Sequence, residues 1–221
     1  MATPASAVAP RRLRRDAEEN RRRILQAARE LFAQHGLDVT LEDVARHAGL
    51  GIGTFYRRFR NRDELLDELF EESLARLEQI YLDALACEDP WSGLVQYLEQ
   101  LVEMMGEDRW LWFLAIRGSS KDRHLADGGE QFWQHMPELL GRAQRTGQLR
   151  ADIGPADISV IHATISASLD FTGEQASGAA RRYLGIVLDG LRASAATPLS
   201  DRPLTITELS DAMSRWWRLN S

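Results

Sequence analysis

The chain has 221 residues, enough for one large or two small domains with a genuine core. Hydrophobic residues make up 44% of it, as in a globular protein, yet no apolar run approaches the roughly 18 residues that a membrane span needs. The single cysteine, Cys87, excludes an intrachain disulfide and a cysteine-based zinc cluster, and the formal net charge of −6 does not by itself suggest a nucleic-acid partner. The charge is unevenly distributed, however: residues 11–62 hold 13 Lys+Arg against 7 Asp+Glu, and the remainder holds 14 against 26. A basic binding module joined to an acidic body fits this pattern, as does chance clustering of solvated arginines.

The first ten residues are rich in Ala, Pro and Ser and lack the apolar core of a secretion signal. A disordered basic arm is expected over 1–19, and a cytoplasmic location follows by default. The run Arg11-Arg12-Leu13-Arg14-Arg15 reads equally as a tail laid along phosphates or as a solvated charge run. A first helix is predicted from about Arg21 to His35, with Ile24, Ala28, Leu31 and Phe32 on one face and Gly36 as a left-handed cap. Thr40 opens a second helix that ends near Ala48, with Glu42 and Asp43 in its first turn.

Gly49-Leu50-Gly51 breaks that helix, and a third runs from Ile52 to Phe59. Two short helices joined by a tight glycine-containing turn are what a helix-turn-helix requires. Phe55 and Phe59 lie four apart and anchor the inner face of the third helix over Val44 and Leu50. Ile52, Gly53, Thr54, Tyr56, Arg57 and Arg58 are left to point outward, where Tyr and Arg bond phosphates or base edges. Asn61 then caps a fourth helix of about 25 residues, to about Ala86, which leads into the body of the protein.

Further helices are predicted over about 91–106, after Asp89-Pro90, then 108–118, 128–146, 155–172 and 178–195. Thr205 to Glu208 forms a capping box for a last helix ending near Leu219. Strand signals are nearly absent, so the fold class is all-α. The aromatics concentrate between Trp91 and Trp133. They read either as ordinary core or as a pocket for an apolar or aromatic ligand. The candidate pocket residues are Trp110, Phe113, Arg117, Trp133, His162 and Asp170, with His135 as a further polar partner. His124 and His135 lack metal-ligand spacing. No phosphate loop, nucleophile elbow or His-Glu-x-x-His occurs, so no cofactor, metal or enzymatic activity is expected.

The residue order then becomes informative. Arg23-Ile-Leu-Gln-Ala-Ala-Arg-Glu-Leu-Phe-Ala-Gln-His-Gly36 is followed by Thr40, Val44-Ala45, Ala48-Gly-Leu-Gly-Ile-Gly-Thr-Phe-Tyr-Arg-Arg-Phe59 and Asn61-Arg-Asp-Glu-Leu-Leu66. This strongly resembles the N-terminal domain of the TetR family of bacterial regulators, over about residues 20–70 with the motif at about 41–60. The resemblance implies a three-helix DNA-binding domain, a helical ligand-binding and dimerisation domain over 71–221, and a homodimer on a near-palindromic operator in double-stranded DNA. It places Thr40, Gly51, Ile52, Gly53, Thr54, Tyr56, Arg57, Arg58 and Arg62 at positions of DNA contact. Two departures stand out: Ile52 occurs where the family often has Lys or Ser, and Arg60 where it often has Pro.

Residues 142–157 and 181–192 resemble the family more loosely. The expected dimer face comprises Ile158, Ile161 and Ile165 with Tyr183, Leu184, Val187, Leu188 and Leu191, and ordinary intrachain core is the alternative. The function expected is a transcriptional repressor released from its operator by a small, apolar or aromatic inducer, with the fourth helix carrying the displacement. An activator, a regulator answering a protein partner, and an enzyme or carrier that has kept a DNA-binding head are the rival readings.

Overall fold

The computed structural model describes residues 9–36, 39–107, 135–172, 178–195 and 197–220. Its helices are α1 (Ala9–His35), α2 (Leu41–His47), α3 (Ile52–Arg58), α4 (Arg62–Ala86), α5 (Pro90–Glu107), α6 (135–145), α7 (Pro155–Thr172), α8 (Ala179–Leu191) and α9 (Ile206–Asn220). Among the described residues the strand-like pairing is a lone antiparallel bridge between Leu149 and Arg192. The chain divides into two compact units, 1–71 and 72–221.

The first unit corrects one expectation. The arm expected to be disordered is helical from Ala9 onward, in one piece with the helix expected to begin at Arg21. Nothing between Pro10 and Arg21 stops a helix, and Pro10 sits in the first turn, where its missing N–H is harmless. Arg, Glu and Ala favour helix, and Glu18–Arg21 and Glu19–Arg22 are paired one turn apart. Residues 1–8 of the arm lie outside the described residues.

Both ends of α2, including the turn into α3, are built by local chemistry. Thr40 Oγ1 accepts the Asp43 N–H at 3.2 Å while the Asp43 carboxylate accepts the Thr40 N–H, also at 3.2 Å. These bonds to Thr40 hold the Asp43 carboxyl below its ordinary value. At the other end Gly49 adopts φ +66°. Its N–H donates to the Arg46 carbonyl at 3.0 Å and that of Leu50 to the Ala45 carbonyl at 2.9 Å, the two bonds of a Schellman cap. Phe55 and Phe59 are fully buried with ring centroids 5.8 Å apart. They share the core with Ile24, Leu25, Phe32, Val44, Leu65 and Leu69. The seven-residue α3 is too short to persist alone, so this packing holds it.

The second unit is centred on α5. Leu94, Tyr97, Leu98 and Leu101 are buried with Ile80 and Tyr81 of α4, Met136 and Leu139 of α6, Ile158 and Ile165 of α7, and Leu184 and Leu188 of α8. At Gly93, a Cβ would come within 2.4 Å of the Ala84 carbonyl oxygen, so the approach of α5 to the end of α4 requires glycine. Arg142 donates to the Leu85 and Cys87 carbonyls at 2.7 and 3.0 Å, satisfying acceptors at the end of α4. α8 stops at Leu191, short of the expected 195, because Arg192 turns extended (ψ 136°) at the Leu149 bridge.

Candidate nucleic-acid interface

With Phe55 and Phe59 turned inward, helical periodicity sends the rest of α3 outward. Ile52 and Tyr56 are 41% and 43% exposed, large values for such apolar rings and chains on a short helix. Gly51, Gly53, Arg57 and Arg58 are exposed and Thr54 is half-buried. A Cβ at Gly51 or Gly53 would meet nothing within 4 Å, so the backbone there is open to an incoming surface.

The polar side chains of this face are held by neighbours. Tyr56 donates its hydroxyl to Glu42 Oε1 at 3.2 Å, and that carboxylate acceptor keeps the phenol protonated, raising its pKa. Arg57 donates to Thr54 Oγ1 at 2.9 Å. Arg58 reaches Glu68 Oε1 at 3.0 Å and lies over the Phe59 ring. Glu68 also accepts from Arg21, so one carboxylate orients two guanidinium groups from α1 and α3. Arg60 is 87% exposed, with its Nε 3.7 Å from Glu64.

Two of the expected contact residues play structural parts. Thr40 is exposed, but its hydroxyl is engaged in the α2 capping box. Arg62 is half-buried. Its Nη1 donates to the Val39 carbonyl at 2.7 Å and its guanidinium lies 5.3 Å from the Phe32 ring centroid, tying the start of α4 to the chain before α2. Spacing placed Arg62 beside the motif but could not show which way it points.

Two residues outside the expected set orient the motif. Arg23 of α1 donates to the carbonyl oxygens of Ala48 and Gly49 at 2.5 and 3.3 Å. His47 Nε2 lies 2.7 Å from Glu30 Oε2, and Gln26 and His47 together hold the Glu30 carboxyl below its ordinary value. Both pairings join α1 to α2 across a sequence separation that periodicity does not report.

In the second unit the residues of the expected dimer face fall into two groups. Ile158, Ile165, Leu184, Leu188 and Leu191 are buried within the chain's own core, while Ile161 and Val187 are half-buried and Tyr183 is exposed. The stripe Leu184, Leu188, Leu191 packs against α5 and α7, which leaves the opposite sides bare. Val160 of α7 and Tyr183 and Ile186 of α8 are 45%, 44% and 58% exposed. An apolar face on each side of a helix is ambiguous in sequence, because both sides carry large hydrophobics.

Of the expected pocket residues, His162 is buried in α7. Asp170 lies in the same helix. Trp110, Phe113, Arg117 and Trp133 lie outside the described residues. His135 stacks on Tyr81, with centroids 3.8 Å apart and planes 4° from parallel. Its Nε2 is 3.2 Å from Glu78. Tyr81 donates to Glu138 at 2.7 Å, and burial, reinforced by that carboxylate, pushes its pKa up to about 12. Among the described residues no helix is long and apolar enough to cross a membrane, and no group of three or more His, Cys, Asp or Glu could hold a metal ion.

Comparison with known proteins agrees with this architecture. The family profile "Bacterial regulatory proteins, tetR family" matches residues 24–69, and "Transcriptional regulator SbtR-like, C-terminal domain" matches 89–193. A TetR transcriptional regulator from Streptomyces coelicolor is 30% identical with a TM-score of 0.59, over 78% of this chain and 98% of that one. A TetR transcription regulatory protein from Mycobacterium vanbaalenii is 31% identical with a TM-score of 0.57, over 81% and 99%. The HTH-type transcriptional regulator SrpR of Pseudomonas putida is 27% identical over 139 residues, 61% of this chain, and the match spans 65% of that regulator's own length.

Proposed function

We infer the function from one premise: the chain belongs to the TetR family of bacterial regulatory proteins, with a helix-turn-helix DNA-binding domain at its N-terminus, and is therefore a transcriptional regulator rather than an enzyme. From that premise we propose that it is a dimeric repressor, released from a near-palindromic operator by a small molecule bound in the second unit. The observation that carries the DNA-binding part is the outer face of α3. Ile52, Tyr56, Arg57 and Arg58 stand exposed over the buried pair Phe55 and Phe59. A rigid inner face fixes the helix, and an open backbone at Gly51 and Gly53 lets it approach the major groove. Tyr56, Arg57 and Arg58 supply the bonds to phosphate or base edges, Ile52 supplies an apolar contact such as a thymine methyl, and Arg62 acts as a positioning residue.

The partner in the dimer is a second copy of the chain. Val160, Tyr183 and Ile186 are too apolar and too exposed for a solvated surface, and a two-fold four-helix arrangement of α7 and α8 would cover them. Such a dimer presents two recognition helices about one turn of DNA apart. A ligand acts on this system only through a difference in affinity between the DNA-competent and DNA-incompetent arrangements. About 3 kcal/mol of coupling would weaken operator binding about 150-fold.

The deciding experiment is selection of binding sites from a random-sequence duplex pool by the purified chain. An enriched, near-palindromic sequence with half-sites one helical turn apart is expected. A pool that enriches no sequence would refute the reading.

A further inference from the structure

Among the described residues of the second unit, Tyr97 Oη and His162 Nε2 are buried polar atoms with no hydrogen bond to another protein group. Both side chains are sealed from solvent, at 0% and 3% exposure. Unpaired polar groups in a core are strongly disfavoured, and Phe or Leu would fill either position without that penalty. The two belong to the same core and are linked through Leu101. The His162 ring is hydrogen-bonded to the Leu101 backbone of α5, and Leu101 stands one helical turn after Tyr97 on the same buried face. Ile158 and Ile165, on either side of His162 in α7, are buried in the same core.

The chemistry of the pair is directional. Burial holds the His162 pKa down to about 4, so the ring is neutral at pH 7. A neutral imidazole has one N–H and one bare nitrogen. The Leu101 backbone, an acceptor beside the ring, favours the proton on the nitrogen that faces it, which leaves the unpartnered Nε2 as the acceptor. Tyr97 stays a protonated phenol because desolvation pushes its pKa up, so its hydroxyl is a donor that also accepts.

We propose that Tyr97 and His162 form the polar anchor of the small-molecule site in the second unit, and that its ligand is a neutral, largely apolar molecule carrying a hydroxyl group. A hydroxyl satisfies both atoms together, donating to His162 Nε2 and accepting from Tyr97 Oη. A ketone or an ether satisfies Tyr97 alone and leaves the imidazole nitrogen unpaired. A carboxylate has no proton for Nε2 and would enter the core as an uncompensated charge. This assignment rests on the ligand-responsive reading above and names the class of ligand.

The test is calorimetric titration of the full-length protein with matched hydroxyl and methyl-ether probes of graded size: phenol and anisole, cyclohexanol and methoxycyclohexane, 2-naphthol and 2-methoxynaphthalene. In at least one pair the hydroxyl member is expected to bind about tenfold more tightly, the effect of leaving one buried acceptor unmade. Tyr97→Phe, which removes a single oxygen, and His162→Phe should each bring that ratio close to one. Equal affinities within every pair, no binding by any probe, or a preference that persists in both variants would overturn the proposal. The wider reading fails separately: a hydroxyl probe that binds with the Tyr97-dependent preference but leaves operator affinity unchanged would retain the site and remove its regulatory role.

Discussion

Arg23 Nη2 donates to the Ala48 carbonyl oxygen at 2.5 Å, fastening α1 to the residue that precedes the left-handed Gly49 of the motif turn. The same guanidinium nitrogen would lie 2.8 Å from a Cβ placed on Gly49. A side chain there would therefore meet both an unfavourable φ and an occupied position. Gly49→Ala is expected to lower stability by about 2 kcal/mol. Urea unfolding checks this, and an unchanged midpoint would show that the turn relaxes freely.

The contact residues of α3 and the anchor at the start of α4 should behave differently. Arg57→Ala and Tyr56→Phe are expected to weaken operator binding at an unchanged melting temperature. Arg57→Ala should also reduce the salt dependence by about one unit, the signature of a lost phosphate contact. Arg62→Ala should lower the melting temperature as well, because it releases the Val39 carbonyl and uncovers Phe32. Fluorescence anisotropy across a salt series, paired with thermal melts, separates the two classes.

The two sides of α8 provide a sharper contrast. Ile186→Asp alters a residue that is 58% exposed and is expected to yield a folded monomer with a greatly reduced operator affinity. Leu188→Asp, only two residues on, places a carboxylate in the core and should destabilise the fold itself by more than about 3 kcal/mol. Sedimentation and circular dichroism report the outcomes. A dimeric Ile186→Asp protein would place the interface elsewhere.

Acid should weaken the chain through its capping carboxylates. Asp89 is held down to about 2 by hydrogen bonds from Gln148 and Ser92, and Glu208 to about 2 by Arg202 and Thr205. Both folded values lie below the ordinary ones of 3.8 and 4.5. Their stabilisation is thus complete above about pH 5 and is lost as pH falls through 4 toward 2. Asp89→Asn should be less stable than the parent at pH 7 and match it near pH 2. A stability difference that is independent of pH would assign the effect to packing.

Local signals in the chain were sufficient for the helical fold class, for the Thr40, Asn61 and Thr205 caps, and for the short-helix, glycine-turn, short-helix arrangement at 41–60. Each depends on residues within four or five positions of one another, where side chain and backbone meet by helix geometry alone. The same locality identified Phe55 and Phe59 as inner and Tyr56 and Arg57 as outer. It misjudged residues 9–19, because the loose composition of the first ten positions masked an unbroken run of helix-forming residues after Pro10. Only tertiary structure decided the inward turn of Arg62 onto Val39 and Phe32, the Arg23 fastening of the motif turn, and which side of α8 stays bare. Leu188 and Ile186 are equally apolar, and their fates diverge because α5 and α7 cover one and not the other. Tyr97 Oη and His162 Nε2, unpartnered among the described residues, belong to the same class: a hydrogen bond left unmade in a core depends on every neighbour that could have made it, and those neighbours come from distant parts of the chain.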